Sequence, residues 1–297
     1  MSSKKETGTG LKHFLISSSI ALSSTNRFSS TSHYKATIMR FGVELLVVFL
    51  AVLQCTGFIV TYILAVNDGH VTPEFPYISD TGGKPPESCV FTLICCVSGI
   101  ITLLIMYIRY VHIKQYYQMS INKILFLNPL TFFIGILSVF GLLLVGAFQD
   151  DEVSIVHMIG AAMVFGFGIV YMWLQTVVSY KIYHASLTRH VSSVVIILRL
   201  FLSLMATIFF IMVMVTMYVA GHIRNQSSLD YDPAHWTSKD PGYPLHLTST
   251  ISEWCLGLAF LVFFLTFHTD FSRVSLIVSV SLRQEYMTLN ENTPLRL

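Results

Sequence analysis

Six long apolar runs constrain this chain more than anything else in it. They lie at approximately Phe41–Val66, Cys89–Ile108, Leu125–Phe148, Val153–Tyr180, Val194–Ala220 and Thr250–Phe267. A helix needs roughly 20 apolar residues to cross a hydrocarbon layer of ~30 Å, and every run is close to that length or longer. None shows the period-two alternation of a barrel strand. A lone span must satisfy its own backbone groups in lipid, so the runs are expected to be helices. Composition agrees: 54% of the 297 residues are hydrophobic and only 11% are charged, whereas a soluble domain carries about 25% charged residues. The expectation is an all-α membrane protein of six transmembrane helices. Residues 39–275 form the membrane domain, 1–38 a disordered serine-rich basic leader, and 276–297 a flexible tail. The net charge of +2, without a basic run interleaved with aromatics, excludes nucleic acid as a partner.

Charge sets the expected orientation. If the N-terminus is cytosolic, 15 of the 18 Lys and Arg fall on the cytosolic side, and only Lys84, Arg224 and Lys239 fall opposite. Without the leader the ratio is still nine to three. The positive-inside rule then places both termini in the cytosol. The leader's composition resembles a transit peptide. Leu11–Leu22 is too polar and short to span, which favours a disordered segment upstream of Met39. The five cysteines lie in or beside apolar runs without zinc or CxxC spacing, so they read as packing residues rather than disulfide or metal partners.

The most distinctive stretch, FPYISDTGGKPPES at Phe75–Ser88, lies in the loop between spans 1 and 2. Asp80-Thr81-Gly82-Gly83 is turn chemistry, Pro76, Pro85 and Pro86 stiffen the chain, and Glu87 suits the N-terminus of the next helix. Locally this is a rigid turn and cap. Functionally it is a preorganised lumenal surface for a partner or a lipid headgroup. Membrane-embedded charges are further candidates. Glu44 can pair with Arg40, and Arg199 can snorkel to the interface on its long stem. Thr250 and Glu253 have capping-box spacing, which makes Glu253 a cap at the start of span 6.

Asp80, Glu87, His157, His246 and Glu253 gather near lumenal span ends, a composition able to bind a metal or run acid–base chemistry. No HExxH, GxSxG or comparable motif accompanies them. The expectation is therefore no catalytic residue, no cofactor and no metal. Ala162 and Gly166, with Gly160 and Gly168 nearby, suit close helix packing. Trp173, Tyr180, Tyr183 and Trp254 read as interfacial anchors. Asn225-Gln226-Ser227 is a glycosylation sequon close to the bilayer, and Tyr286-Met-Thr-Leu289 is a pattern read by sorting adaptors.

Several segments together resemble the DRAM family, the damage-regulated autophagy modulators. They are FPYISDTG with PPES, IMYIRY closing span 2, Gly242-Tyr-Pro-Leu-His-Leu247, Ser252-Glu-Trp254, Phe263-Phe-Leu-Thr-Phe267 and Asp270-Phe271. The likeness runs from about Arg40 to Ser275, while the leader and the tail diverge. The resemblance implies a six-span, non-enzymatic lysosomal or endosomal protein that promotes autophagy. It also implies a wider superfamily, one branch scaffolding a phosphatidylinositol 4-kinase and another handling GPI-anchor lipid remodelling. Tyr77, Ser79, Asp80, Pro86, Glu87, His246, Glu253 and Trp254 occupy motif positions and are expected to form one lumenal surface for lipids or for autophagy or trafficking proteins. The alternative is a plasma-membrane scaffold regulating phosphoinositide supply through Lys114, Lys123, Lys181 and Arg189. A lumenal lipid hydrolase or remodelling factor using His246 and Glu253 is the third reading.

Overall fold

A computed structural model describes residues 39–116, 124–185, 192–227, 234–272 and 274–278. Among the described residues, six helices are long and apolar enough to cross a membrane. They are α1 (Glu44–Asn67), α2 (Glu87–Tyr116), α3 (Ile124–Ala147), α4 (Asp150–Ala185), α5 (Ser193–Asn225) and α6 (Tyr243–Leu265), and a short α7 (Phe267–Phe271) continues the last. Two four-residue strands, β1 (Met39–Gly42) and β2 (Ser275–Val278), pair with each other. From sequence, Phe41 and Gly42 belong to the first span and Leu276–Val278 to the tail, because four residues are too few for a periodic strand signal. Arg40–Ile277 form one compact unit.

Within that unit each long helix packs on the next, and α1 closes the ring against α6 and α7. The core runs along the inner faces through Val47, Leu50, Ile105, Met172, Leu256 and Phe263. Outward faces carry large apolar side chains, among them Phe126, Ile155 and Tyr218, as expected where the solvent is lipid. Lipid removes the hydrophobic drive between helices, so cohesion must come from close packing and internal hydrogen bonds.

The closest crossing lies between α3 and α4. A Cβ on Gly141 would stand 2.5 Å from Val164 N and 2.7 Å from the Gly160 carbonyl. Gly168 likewise accommodates the Phe260 ring, whereas a Cβ on Gly166 would meet open space. The packing glycines are therefore Gly160 and Gly168, and the Ala162–Gly166 pair contributes no such crossing at Gly166. Trp173 is not a simple interfacial anchor either. Its indole donates to Thr207 Oγ1 across α4 and α5 at 3.1 Å.

Helix α6 begins seven residues before the expected Thr250. Gly242 adopts φ +86° at its N-cap, and Pro244 occupies the first turn. There proline's fixed φ suits a helix and its missing N–H leaves no donor unsatisfied. This early start places Thr250 and Glu253 well inside the helix, so Glu253 is not a capping residue.

Candidate functional site

Two polar assemblies lie at opposite ends of the chain's spans. The first joins the loop after α1 to α6 and is called the loop end. Glu253 Oε2 accepts the Ile78 backbone N–H at 2.8 Å, and the indole of the next residue, Trp254, donates to the Pro76 carbonyl at 2.9 Å. Thr81 Oγ1 donates to the Ile78 carbonyl at 2.7 Å and lies 3.1 Å from Thr61 Oγ1 on α1. Tyr62 adds a hydrogen bond to the Pro73 carbonyl at 2.8 Å. The loop is thus fastened on both sides by its own backbone, which explains how a turn-rich segment holds one conformation. Gly82 packs so closely on Phe91 that a Cβ would stand 2.4 Å from the ring.

An aromatic stack extends the joint. The Trp236 ring lies on His246 at 4.2 Å and 7°, Tyr77 meets His246 edge-on at 5.3 Å, and the Arg224 guanidinium covers Trp236 at 4.0 Å. Arg224 also pairs with Asp240 at 3.2 Å and donates to the His235 carbonyl at 2.7 Å. These contacts pin the segment after α5 beside the first loop, where His235 Nε2 reaches the Gly69 carbonyl at 3.1 Å.

The structure changes the expected lumenal surface into an internal joint. Glu87, His246 and Glu253 are buried, Tyr77, Ser79, Asp80 and Trp254 are half-buried, and only Pro86 of the set is exposed. The physical reason is that the loop folds down onto α6, so its signature side chains face protein. His246 and Glu253 each engage a different partner, an aromatic stack and a backbone amide. Asp80 is held well above the usual carboxylate range, first by desolvation and then by the nearby Glu253, Asp150 and Asp151. Trp236 and Arg224 were missed as joint members; the acid Asp240 and the tryptophan in a polar segment were their only signal.

Beneath the joint lies a cavity of about 130 Å³, walled mostly by apolar side chains with Ser79, His157 and Glu253 among its polar groups. His157 is buried, with Nδ1 2.7 Å from the Phe148 carbonyl. A groove lined by Cys55, Ile59, Trp254, Cys255 and Leu258 shares Phe58 and Ile78 with that cavity.

The second assembly is a buried charge cluster at the other end. Asp270 lies between Arg199, with which it forms a short ion pair, and Arg109, whose Nη1 is 3.3 Å from Oδ1. Both arginines are fully buried. Arg199 donates to Thr266 Oγ1 at 2.8 Å and to Ser179 Oγ at 2.6 Å. Arg109 reaches Gln175 and Ser179, each at 3.4 Å. The Phe267 ring lies 4.8 Å from one guanidinium carbon and 5.5 Å from the other. Arg199 therefore does not snorkel: its partner is inside the bundle, and burial without one would be prohibitive. Arg109, counted as a cytosolic charge from sequence, belongs to the same cluster. The signal was present, since IMYIRY and the FHTDF segment put opposite charges beside apolar runs at the same end.

Other sequence candidates are less connected. Asn225 is exposed at the last residue of α5. Lys114 and Lys181 sit near the ends of α2 and α4, while Lys123, Arg189, the leader and Tyr286 with Leu289 lie outside the described residues. All five cysteines are free thiols.

The sequence that folds into this ring of six membrane-length helices matches a known family. Residues 42–274 match the family described as Frag1/DRAM/Sfk1/Cwh43P N-terminal domain, and the chain belongs to that family. It is 35% identical over 258 residues to mouse DNA damage-regulated autophagy modulator protein 2, covering 85% of this chain and 92% of the relative. It is 36% identical over 246 residues to DNA damage-regulated autophagy modulator protein 1 of Xenopus laevis, covering 82% and 97%. A zebrafish protein, Modulator of macroautophagy TMEM150B, is 37% identical over 138 residues, 46% of this chain and 57% of its own. No solved structure matches. The family match over residues 42–274 spans both the loop joint and the charge cluster, and the family resemblance drawn from the motifs is met.

Proposed function

We propose that this chain modulates autophagy from the lysosomal or late endosomal membrane, organising lipids or partner proteins without catalysing a reaction itself. The three relatives described above are named as autophagy modulators, which supports the autophagy part. In this reading both termini are cytosolic and the loop end is lumenal. The observation that carries the reading is the division of the first loop into a fixed half and an offered half. Ile78, Thr81 and Glu87 are buried in the joint, while Pro73, Glu74, Phe75, Pro85 and Pro86 are exposed. Phe75 is an aromatic side chain 55% exposed at a backbone φ of +49°. A non-glycine residue keeps such a φ only where its surroundings over-determine it. A rigid, apolar projection of this kind loses little entropy on meeting a membrane or a protein.

Fluorescent tagging should place the protein on lysosomal membranes, and depletion should change autophagic flux. Phe75→Ser should preserve location and abundance while failing to restore flux in depleted cells. Residence only at the cell surface, with flux unchanged on depletion, would overturn the reading.

A further inference from the structure

We propose that Asp68, His70 and Glu87 form a divalent-cation site suited to zinc. One donor atom from each of the three lies within 4.8 Å of the other two. His70 Nδ1 and Glu87 Oε1 are 2.6 Å apart. The second, independent observation is the other oxygen of the same carboxylate. The Glu87 side chain is fully buried, and its Oε2 has no hydrogen-bond partner among the described residues. A buried carboxylate oxygen left without a partner is destabilising, and a bound cation is one of the few groups that satisfies it.

The chain around the three donors is fixed before any ion arrives. Asp68 caps the end of α1, with its N–H on the Leu64 carbonyl at 2.9 Å. Gly69 takes φ +71°, which turns the chain between Asp68 and His70, and the His70 N–H returns to the Ala65 carbonyl at 2.9 Å. Glu87 is the first residue of α2, whose next N–H, that of Ser88, bonds the Lys84 carbonyl at 2.8 Å. Two carboxylates and one imidazole are a borderline donor set. They suit zinc, which takes nitrogen and oxygen ligands in fours, better than calcium, which takes six to eight oxygens. Tetrahedral donors around zinc stand roughly 3.3 Å apart, given bonds of about 2.0–2.2 Å. The His70–Glu87 pair must therefore open by less than ~1 Å, and His70 must give up its Nδ1 proton if that atom binds. Three protein ligands leave the fourth position to water or to a group from a partner. Because Asp68 is exposed, that position is reachable.

The test uses the full chain purified in lipid nanodiscs, stripped with a chelator and dialysed against zinc chloride. Elemental analysis should give one zinc per chain beyond what the Asp68→Asn, His70→Ala double variant retains, and zinc should raise the thermal midpoint of the native protein only. Glu87→Gln should weaken binding more than the ~10–100-fold typical of losing an outer partner. If that variant does not fold, the Asp68 and His70 variants decide, since both side chains reach solvent. Equal zinc content in native and double-variant protein, or a midpoint raised equally in both, would overturn the site. Calcium displacing zinc at comparable concentration would overturn the zinc assignment.

Discussion

The two ends of the bundle solve the same problem with opposite chemistry. At the loop end, cohesion is spread over many single contacts: an amide on Glu253, an indole on a carbonyl, a stack of Tyr77, His246 and Trp236. At the other end it is concentrated in one carboxylate between two guanidiniums. Distributed contacts tolerate the loss of any one. A concentrated charge cluster does not, because removing its one carboxylate strands both guanidiniums without a counter-ion. The difference teaches where each end can change: the loop end has room to be adapted, while the charge cluster must keep its carboxylate.

Asp270→Ala should therefore have the largest effect of any single change, about 3–5 kcal/mol, the penalty of leaving buried charge unpaired. Thermal unfolding followed by size-exclusion chromatography checks it; a variant as stable as the native chain would break the contrast. Arg109→Gln should be milder than Arg199→Gln. The first leaves a balanced Arg199–Asp270 pair, whereas the second leaves only the longer Arg109 contact and orphans the bonds to Thr266 and Ser179. Equal melting points for the two would show that the cluster acts as a pool of charge and not as a specific pair.

At the loop end, Trp254→Phe removes the bond to the Pro76 carbonyl while keeping an aromatic ring beside Phe58. A loss of about 1 kcal/mol is expected, the net contribution of one hydrogen bond. Limited proteolysis between Pro73 and Lys84 should accelerate before global stability changes. The smallest effect should come from Asp80→Asn. The folded state raises the Asp80 pKa above its ordinary value of 3.8, so its contribution is fully present below that value and is lost as pH rises through the higher folded one. At neutral pH the charge opposes folding. The asparagine variant should melt higher than the native chain at pH 7 and equally at pH 3.5; a lower melting point at pH 7 would contradict the placement of Asp80.

The six spans were readable because a long apolar run without period-two alternation can close its backbone in lipid only as a helix, and the family motifs were readable because they occur in order at both ends of the membrane domain. Tertiary partners were not. Thr250 to Glu253 has the spacing of a cap, which outweighed the local start signal of Gly242 and Pro244 seven residues earlier. Arg199 carries the same local signal whether it snorkels or finds Asp270, 71 residues away. The signature loop was legible as a rigid turn, yet its side chains were assigned to an outer face. Polarity in a loop normally indicates solvent, and here it indicates bonds to the backbone of the same fold. His70 was overlooked because its partner Glu87 lies across the whole loop.

The cavity between the two ends has a mechanical consequence. Space of about 130 Å³ inside a packed bundle is volume that hydrostatic pressure can remove, since pressure favours states in which internal voids are eliminated. The compressible region lies directly under the loop joint, since Ile78 and Glu253 line it and bond each other. Under pressure the helices should draw together around Phe58 and Phe260, and the loop joint should respond before the ionic cluster does.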